Sequence, residues 1–190
     1  MSRAPILLDM PGQIDTARLT LRPPGAGDGA LVLAAVRDSL AELRQWPANL
    51  PWAVPEPSLE AFESFCRRAE AQYLLREDFT LLIRHSANGH LVGACGLHRF
   101  DWLARRFEIG YWGHTPSLGR GYLSEAVCAI RDLALRRLHA RRLEIFTDAR
   151  NQRSRALAER CGFTLEHIRP QGTQPPGGRQ TDCAVYALTA

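Results

Sequence analysis

The residues best suited to chemistry lie in one segment, from Glu108 to Ala126. A strand-like stretch ends there, a turn carries Gly119 and Gly121, and an amphipathic helical pattern begins at once. Main-chain N–H groups at the start of a helix have no partner within it and form a ready site for an anion. Glycine at both positions lets the backbone approach a phosphate closely, and Arg120 adds positive charge. The segment therefore predicts a phosphate or diphosphate site.

The glycine spacing leaves a plainer interpretation open, a tight strand-to-helix turn without a ligand, because short glycine motifs match many sequences. The segment lacks the G-x-G-x-x-G spacing of dinucleotide-binding folds, and no Gly-Lys-Ser/Thr follows as in a P-loop. The six histidines form no H-x-H or H-x-x-x-H pair, and the five cysteines form no C-x-x-C pair. No metal site and no disulfide framework are predicted.

Composition indicates a single globular domain over residues 1–190, with 45% apolar and 23% charged residues. Lys and Arg outnumber Asp and Glu by 24 to 20, an excess too small to predict direct nucleic-acid binding. Residues 1–13 have no long apolar run and one basic residue, so we predict neither a secretory signal nor a membrane contact. This segment is predicted to be flexible, and the protein to be cytoplasmic.

The elements that must position the segment alternate between strand and helix patterns. Asp28 is expected to cap a helix that ends near Ser39, a short helix follows over residues 40–46, and Ser58 begins another. Asn88-Gly89 is a strong hairpin signal. Strands are predicted over residues 18–22, 79–84, 91–97, 107–112, 143–147, 163–168 and 183–188. The class is α/β, with a mixed, mostly antiparallel sheet and βαβ crossovers near the end.

The chain resembles the GNAT acyltransferase superfamily, within its RimJ/RimL branch. Residues 108–126 are similar to the family's coenzyme A pyrophosphate loop, although Leu118 stands where Gln or Arg is usual, Leu123 where Gly or Ala is usual, and Thr115 where Pro is common. Further stretches match in order at residues 16–22, 39–46, 108–112 and 151–163, and the resemblance covers about residues 16–188. It implies a GNAT-type sheet of about six to seven strands flanked by helices, with a splayed strand pair for the cofactor.

The resemblance implies acetyl-coenzyme A as the acyl donor and no metal. The pantetheine arm would pair with the backbone of residues 111–113, and the diphosphate would lie on residues 119–124. Asn151 matches an asparagine that contacts the cofactor arm, and it is equally suited to cap a helix. The implied cofactor-binding residues are Tyr111, Trp112, Gly113, Gly119, Arg120, Gly121, Tyr122, Leu123, Ser124 and Asn151.

Transfer to an amine needs a neutral nucleophile, donors for the thioester oxyanion and a proton for the leaving thiolate. About a tenth of an α-amine is neutral at pH 7, so a weak base acting through water suffices. Glu108 is the first candidate base, and its alternative is an outward strand residue or an arginine partner. Ser154 matches a serine proposed in the RimL branch to protonate the thiolate, and it could instead bond the preceding helical turn. Thr173 lies near the place of an acidic residue that RimL enzymes are thought to use.

The implied function is an N-acetyltransferase acting on a primary amine, with the N-terminus of a ribosomal protein as one acceptor. A small amine such as an aminoglycoside, a polyamine or an amino acid is an alternative acceptor. A non-catalytic acyl-coenzyme A sensor is an alternative of a different class. The resemblance also suggests a homodimer. Trp46 and Trp52, flanked by prolines, would line an acceptor groove or serve as core or lid aromatics.

Overall fold

A computed structural model of the chain describes residues 4–176 and 178–190, and these contain eight strands and four α-helices. The strands are β1 (Ile14–Asp15), β2 (Leu19–Arg22), β3 (Phe79–His85), β4 (Leu91–Asp101), β5 (Arg106–Gly113), β6 (Arg142–Asp148), β7 (Thr164–Thr173) and β8 (Thr181–Thr189). The helices are α1 (Gly29–Leu43), α2 (Leu59–Leu75), α3 (Tyr122–Arg137) and α4 (Gln152–Arg160).

The described strands form one sheet in the order β1-β2-β3-β4-β5-β6-β8-β7. Neighbouring strands are antiparallel except β5 and β6, which α3 joins as a parallel crossover. The predicted mixed, mostly antiparallel sheet is confirmed. The number of strands exceeds the predicted six to seven because Ile14–Asp15 pairs with β2 as a two-residue edge strand. The hairpin predicted at Asn88-Gly89 joins β3 to β4.

Helices cover both faces of the sheet, which gives the fold two hydrophobic clusters. One cluster packs α3 and α4 against the sheet and includes Ile109, Ile130 and Leu157. The other packs α1 and α2 against the opposite face and includes Val36 and Phe62. Helix α3 therefore starts directly beside the end of β5, where the sequence predicts the phosphate site. None of the helices in the described part of the chain combines the length and apolar character needed to span a bilayer.

Helix α1 differs from its prediction at both ends. It runs without a break from Gly29 to Leu43, so the predicted boundary near Ser39 is wrong, since no residue there disfavours a helix. The Asp28 side chain does not cap the helix. Its carboxylate instead accepts hydrogen bonds from the Arg22 guanidinium at 2.7 Å and from the Gly25 N–H at 2.8 Å. The ion pair with arginine is the stronger use of this carboxylate.

The N-terminal segment predicted to be flexible includes residues 1–3, which lie outside the described residues. The described part contacts the end of α2. The Tyr73 hydroxyl donates to the Pro11 carbonyl at 2.6 Å, and the Arg76 guanidinium donates to the Leu8 carbonyl at 2.8 Å. Leu8 and Met10 pack against the cluster under α3.

Candidate active site

Strands β5 and β6 are paired over three residues and then separate. The pairing joins residues 106–108 of β5 to residues 142–144 of β6. Beyond it, β5 stays paired with β4 as far as Gly113, and β6 stays paired with β8 as far as Asp148. Residues 109–113 and 145–148 therefore border a wedge-shaped opening, in which the two strands are no longer paired with each other and which we call the cleft. The cleft is the splayed strand pair that the resemblance implied.

The start of α3 provides a row of main-chain N–H groups beside the cleft. Gly119 and Gly121 both have φ of +77°, a left-handed conformation that glycine adopts readily. The hydrogen bonds found among the described residues use none of the N–H groups of residues 119–124, which we call the amide loop. A Cβ atom on Gly119 would meet no protein atom within 4 Å, so the space above it is open. Free amides at a helix start favour an anion by hydrogen bonding and by the helix dipole.

Leu118 and Leu123, two departures from the family pattern, pack over the end of β5. A Cβ atom on Gly113 would lie 2.6 Å from a methyl carbon of Leu118 and 2.8 Å from one of Leu123. Both leucines therefore hold the amide loop against β5 by apolar contact, and Gly113 is the residue that permits it. The main-chain N–H groups remain available, because a change of side chain does not remove them.

An ion pair between Arg18 and Glu125 fixes the first turn of α3 to the residue directly before β2. The Arg18 Nε donates to Glu125 Oε2 at 2.7 Å, and its Nη1 donates to the Arg120 carbonyl at 3.0 Å. The Arg18 guanidinium also lies 4.6 Å from the ring centroid of Tyr122. Although burial opposes it, hydrogen bonds from Thr16 and Arg18 hold the pKa of Glu125 below its ordinary value. Arg18 thus balances a carboxylate that would otherwise repel a diphosphate.

We expect Arg18→Met to weaken coenzyme A binding about three- to tenfold, since the paired charges are partly exposed and each is worth little alone. The measurement is isothermal titration with coenzyme A. Arg67→Met, which breaks an ion pair with Glu63 on the distant α2, serves as the control. The double variant Arg18→Met/Glu125→Gln should recover part of the loss because the unbalanced carboxylate is gone. Equal affinity of Arg18→Met and wild type would contradict this role.

Tyr111, Ser154 and Asn151 meet on the face of the sheet that α3 and α4 cover. The Tyr111 hydroxyl lies 2.9 Å from Ser154 Oγ and donates to the Ser154 carbonyl at 3.1 Å. Asn151 Oδ1 accepts from the Ser154 N–H at 3.0 Å, which is the helix-cap contact that the sequence suggested. Burial raises the pKa of Tyr111 well above its usual value, although the Ser154 hydrogen bond opposes it. Both hydroxyls therefore stay protonated at neutral pH and can donate.

Glu108 lies on the opposite face of β5, because side chains alternate along a strand. Its carboxylate accepts from Arg99 Nη1 at 2.8 Å, and its side chain is 18% exposed. Burial raises the pKa of Glu108, although the Arg99 charge opposes the shift. Glu108 and Ser154, the two predicted catalytic residues, are thus on opposite sides of the cleft.

Trp112 also lies on the Glu108 face. Its ring centroid is 5.6 Å from that of Trp52, so its side chain packs under the segment that follows α1. Only the backbone of Trp112 borders the cleft. Trp46 lines a cavity of about 340 Å³ together with Glu42, Arg150 and Asn151.

A comparison with protein families covers most of this fold. Residues 18–164 match the model of the acetyltransferase (GNAT) domain. The chain belongs to the GNAT acetyltransferase family. The matched range contains the cleft, the amide loop, Glu108 and Ser154.

Individual relatives agree with this family assignment. A Bacillus subtilis (strain 168) protein, provisionally named ribosomal N-acetyltransferase YdaF, is 33% identical over 101 residues, which cover 53% of this chain and 55% of that protein. The match thus spans little more than half of that relative. A structure from Vibrio cholerae, provisionally named a ribosomal-protein-serine acetyltransferase, is 28% identical with a TM-score of 0.80, covering 94% of this chain and 97% of that one. The fold also matches RimL, a ribosomal L7/L12 α-N-protein acetyltransferase in complex with coenzyme A, at 24% identity and a TM-score of 0.85, covering 93% and 97%.

Asn49 is a residue at the cleft of this GNAT fold that sequence reasoning missed. Its side-chain amide donates to the Phe146 carbonyl at 3.3 Å and accepts from the Asp148 N–H at 3.1 Å. It thereby covers the free edge of β6 where β5 no longer pairs. No local signal singles out Asn49, since its partners are nearly a hundred positions away in the sequence.

Asp148 is an acidic side chain at the far end of the cleft, and its hydrogen bonds remove it from consideration as a base. It accepts from the Arg150 guanidinium at 2.7 Å and from the Thr181 hydroxyl at 2.8 Å. The Arg150 hydrogen bond lowers the pKa of Asp148. Thr173, which the sequence aligns near the acid of RimL enzymes, bonds Thr181 Oγ1 at 2.6 Å. Within the described residues, no group of three or more metal-ligating side chains comes together.

Proposed function

We propose that the protein transfers an acetyl group from acetyl-coenzyme A to a primary amine. The observation that carries this proposal is the set of free N–H groups in the amide loop, directly beside the free edge of β5. The N–H groups of the amide loop supply donors for a diphosphate. The free edge of β5 supplies backbone partners for the amides of a pantetheine arm. Membership of the GNAT family supports the same function.

In this proposal the diphosphate binds the N–H groups of residues 119–124, with Arg120 adding charge, and the arm pairs with the backbone of residues 111–113. The acetyl carbonyl then reaches the narrow end of the cleft. The amine attacks this carbon from the Glu108 face and loses its proton to Glu108 through a water molecule. The thiolate leaves on the opposite face and takes a proton from Ser154, whose hydroxyl is in turn bonded to Tyr111. The second proton that the amine nitrogen loses returns through water to Ser154 and restores its hydroxyl.

For the acceptor, we propose the N-terminal α-amine of a protein. The Bacillus subtilis protein, at 33% identity, and the Vibrio cholerae protein, at 28%, both carry ribosomal names. An α-amine has a pKa near 8, against about 10.4 for lysine, so it suits the single, weak, water-mediated base that the cleft offers. A homodimer and a cytoplasmic location stay predictions of the sequence.

The test is thiol release from acetyl-coenzyme A with a panel of amines. The panel has a peptide with a free Ser N-terminus, the same peptide with a blocked N-terminus and one lysine, an aminoglycoside and spermidine. Turnover of the peptide with the free N-terminus alone supports the proposal. Turnover of a small amine alone would mean that the acceptor is a small amine and not a protein N-terminus. Coenzyme A binding without any turnover would favour a sensor, and no binding at all would refute the cofactor site.

Ser154→Ala should lower kcat about tenfold and leave the KM for acetyl-coenzyme A nearly unchanged. Loss of a general acid usually lowers kcat by more than tenfold. The expected loss is smaller here because the thiolate of a thiol with a pKa near 8.5 is a good leaving group at neutral pH. Steady-state rates with the preferred amine give the result. Tyr111→Phe, which keeps the ring and removes one hydroxyl, shows how much the Ser154–Tyr111 bond contributes. An unchanged kcat in Ser154→Ala would remove this residue from the mechanism.

A further inference from the structure

His98 is held in an unusual position on the Glu108 face of the sheet. Its Nδ1 lies 2.7 Å from Asp78 Oδ2. Its ring lies across two glycines that pair directly between β4 and β5, Gly96 and Gly110. A Cβ atom on Gly96 would lie 2.7 Å from the ring, and one on Gly110 would lie 2.9 Å from it. Glycine at both positions is therefore what makes room for this imidazole.

This position is at the narrow end of the cleft. His98 is the cross-strand partner of Glu108, so their side chains are neighbours on one face. Gly110 is two residues beyond Glu108, where the pairing of β5 with β6 ends. Because Asp78 takes the Nδ1 side of the ring, Nε2 is left to face other partners, and no hydrogen bond to Nε2 occurs among the described residues. The side chain is 30% exposed, so it also reaches water.

The proposed reaction must release a proton on this face. Most amine acceptors are ammonium ions at neutral pH. When an ammonium and a thioester become an amide and a thiol, the C–N bond forms, the C–S bond breaks, one proton goes to the sulfur and one is released. Glu108 is 18% exposed and bonded to Arg99, and it must pass on the proton that it receives before the next turnover.

We propose that His98 and Asp78 form a proton relay that regenerates Glu108 during acetyl transfer, an inference that rests on the proposed function. The amine proton passes through water to the Glu108 carboxylate and from there to Nε2 of His98. The resulting imidazolium is balanced by the Asp78 carboxylate and gives the proton to bulk water. Glu108 is then again a carboxylate. Asp78 also accepts from the Thr80 hydroxyl at 2.9 Å, which fixes its orientation toward the ring.

The test compares His98→Ala with wild type in a dilute buffer that contains no imidazole, and then with imidazole added. We expect kcat of the variant to fall about tenfold, less than for loss of a direct base. Added imidazole should restore kcat to about half of wild type or more, because a soluble base replaces the relay. His90→Ala, at the exposed turn between β3 and β4, is the matched control and should be unaffected in both buffers. His98→Gln keeps a polar group over the glycines and should lose kcat in the same way.

A purely structural role for His98 predicts a loss that imidazole does not restore. That result, or an unchanged kcat in His98→Ala, would overturn the relay. Coenzyme A titration and thermal melting check that each variant is folded and binds its cofactor. Failure of the proposed function itself is distinguishable, since the wild-type protein would then turn over none of the amines in the panel.

Discussion

Gly119→Asp should weaken coenzyme A binding about 30- to 150-fold, whereas Gly119→Asn should weaken it only a few-fold. The expected cost of the aspartate is about 2–3 kcal/mol, the repulsion of a carboxylate by a diphosphate a few ångströms away in a partly solvated site. Gly119 has φ of +77°, and a Cβ atom there would meet only open space. Isothermal titration with coenzyme A gives the two affinities.

The asparagine variant is the matched control because Asn and Asp have the same shape and both tolerate the left-handed conformation. The ratio of their affinities therefore isolates charge from backbone strain. Raising the salt concentration should reduce that ratio, since screening acts on the charge alone. Equal affinities for the two variants would mean that no diphosphate lies over Gly119, and the cofactor site would have to be sought elsewhere.

The amide loop is the part of the site that the sequence predicts from local signals alone. Two glycines, an apolar helical pattern and a preceding strand are all within twenty residues, so short-range rules apply. The cleft is different. Nothing in the period-two pattern of residues 107–112 indicates that β5 leaves β6 after Glu108, so the prediction depended on the family resemblance.

The contacts that position the loop could not be predicted, because they join distant parts of the chain. Arg18 and Glu125 are 107 residues apart, and each alone is an ordinary surface charge. Ser39, whose hydroxyl accepts from the Thr115 N–H at 2.9 Å, is 76 residues from its partner. Asp28 is the reverse case. The local rule for helix caps predicts that its side chain caps α1, but its carboxylate pairs with the nearby Arg22 instead.

Two glycines in the sequence indicate the position that His98 occupies. Gly96 and Gly110 both stand inside predicted strands, where glycine weakens the strand and often marks the close approach of another group. Two such glycines on consecutive strands of one hairpin indicate a shared contact. The identity of that contact, an imidazole held by Asp78, required the register of β4 with β5.

Glu108→Gln should lower kcat by about two orders of magnitude or more and leave coenzyme A affinity unchanged. As a base, Glu108 works in its ionised form, so wild-type kcat should fall as the pH drops through the pKa of this carboxyl. Burial raises that pKa, so the fall should occur at higher pH than for an ordinary glutamate. The positive charge of Arg99 opposes the shift, and Arg99→Gln should therefore move the fall to still higher pH.

These variants are compared by pH profiles of kcat at saturating amine, with Glu60→Gln, on the exposed first turn of α2, as the control. Protonation of the amine affects the pH profile of wild type and of every variant in the same way. Differences between these profiles therefore report the protonation of Glu108. The glutamine variant should retain only the dependence that belongs to the amine. If its kcat equals that of wild type, proton transfer does not pass through Glu108, and the acceptor must bind as an amine that is already neutral. The relay through His98 would then have no donor, so this one measurement tests both the proposed base and the proposed relay.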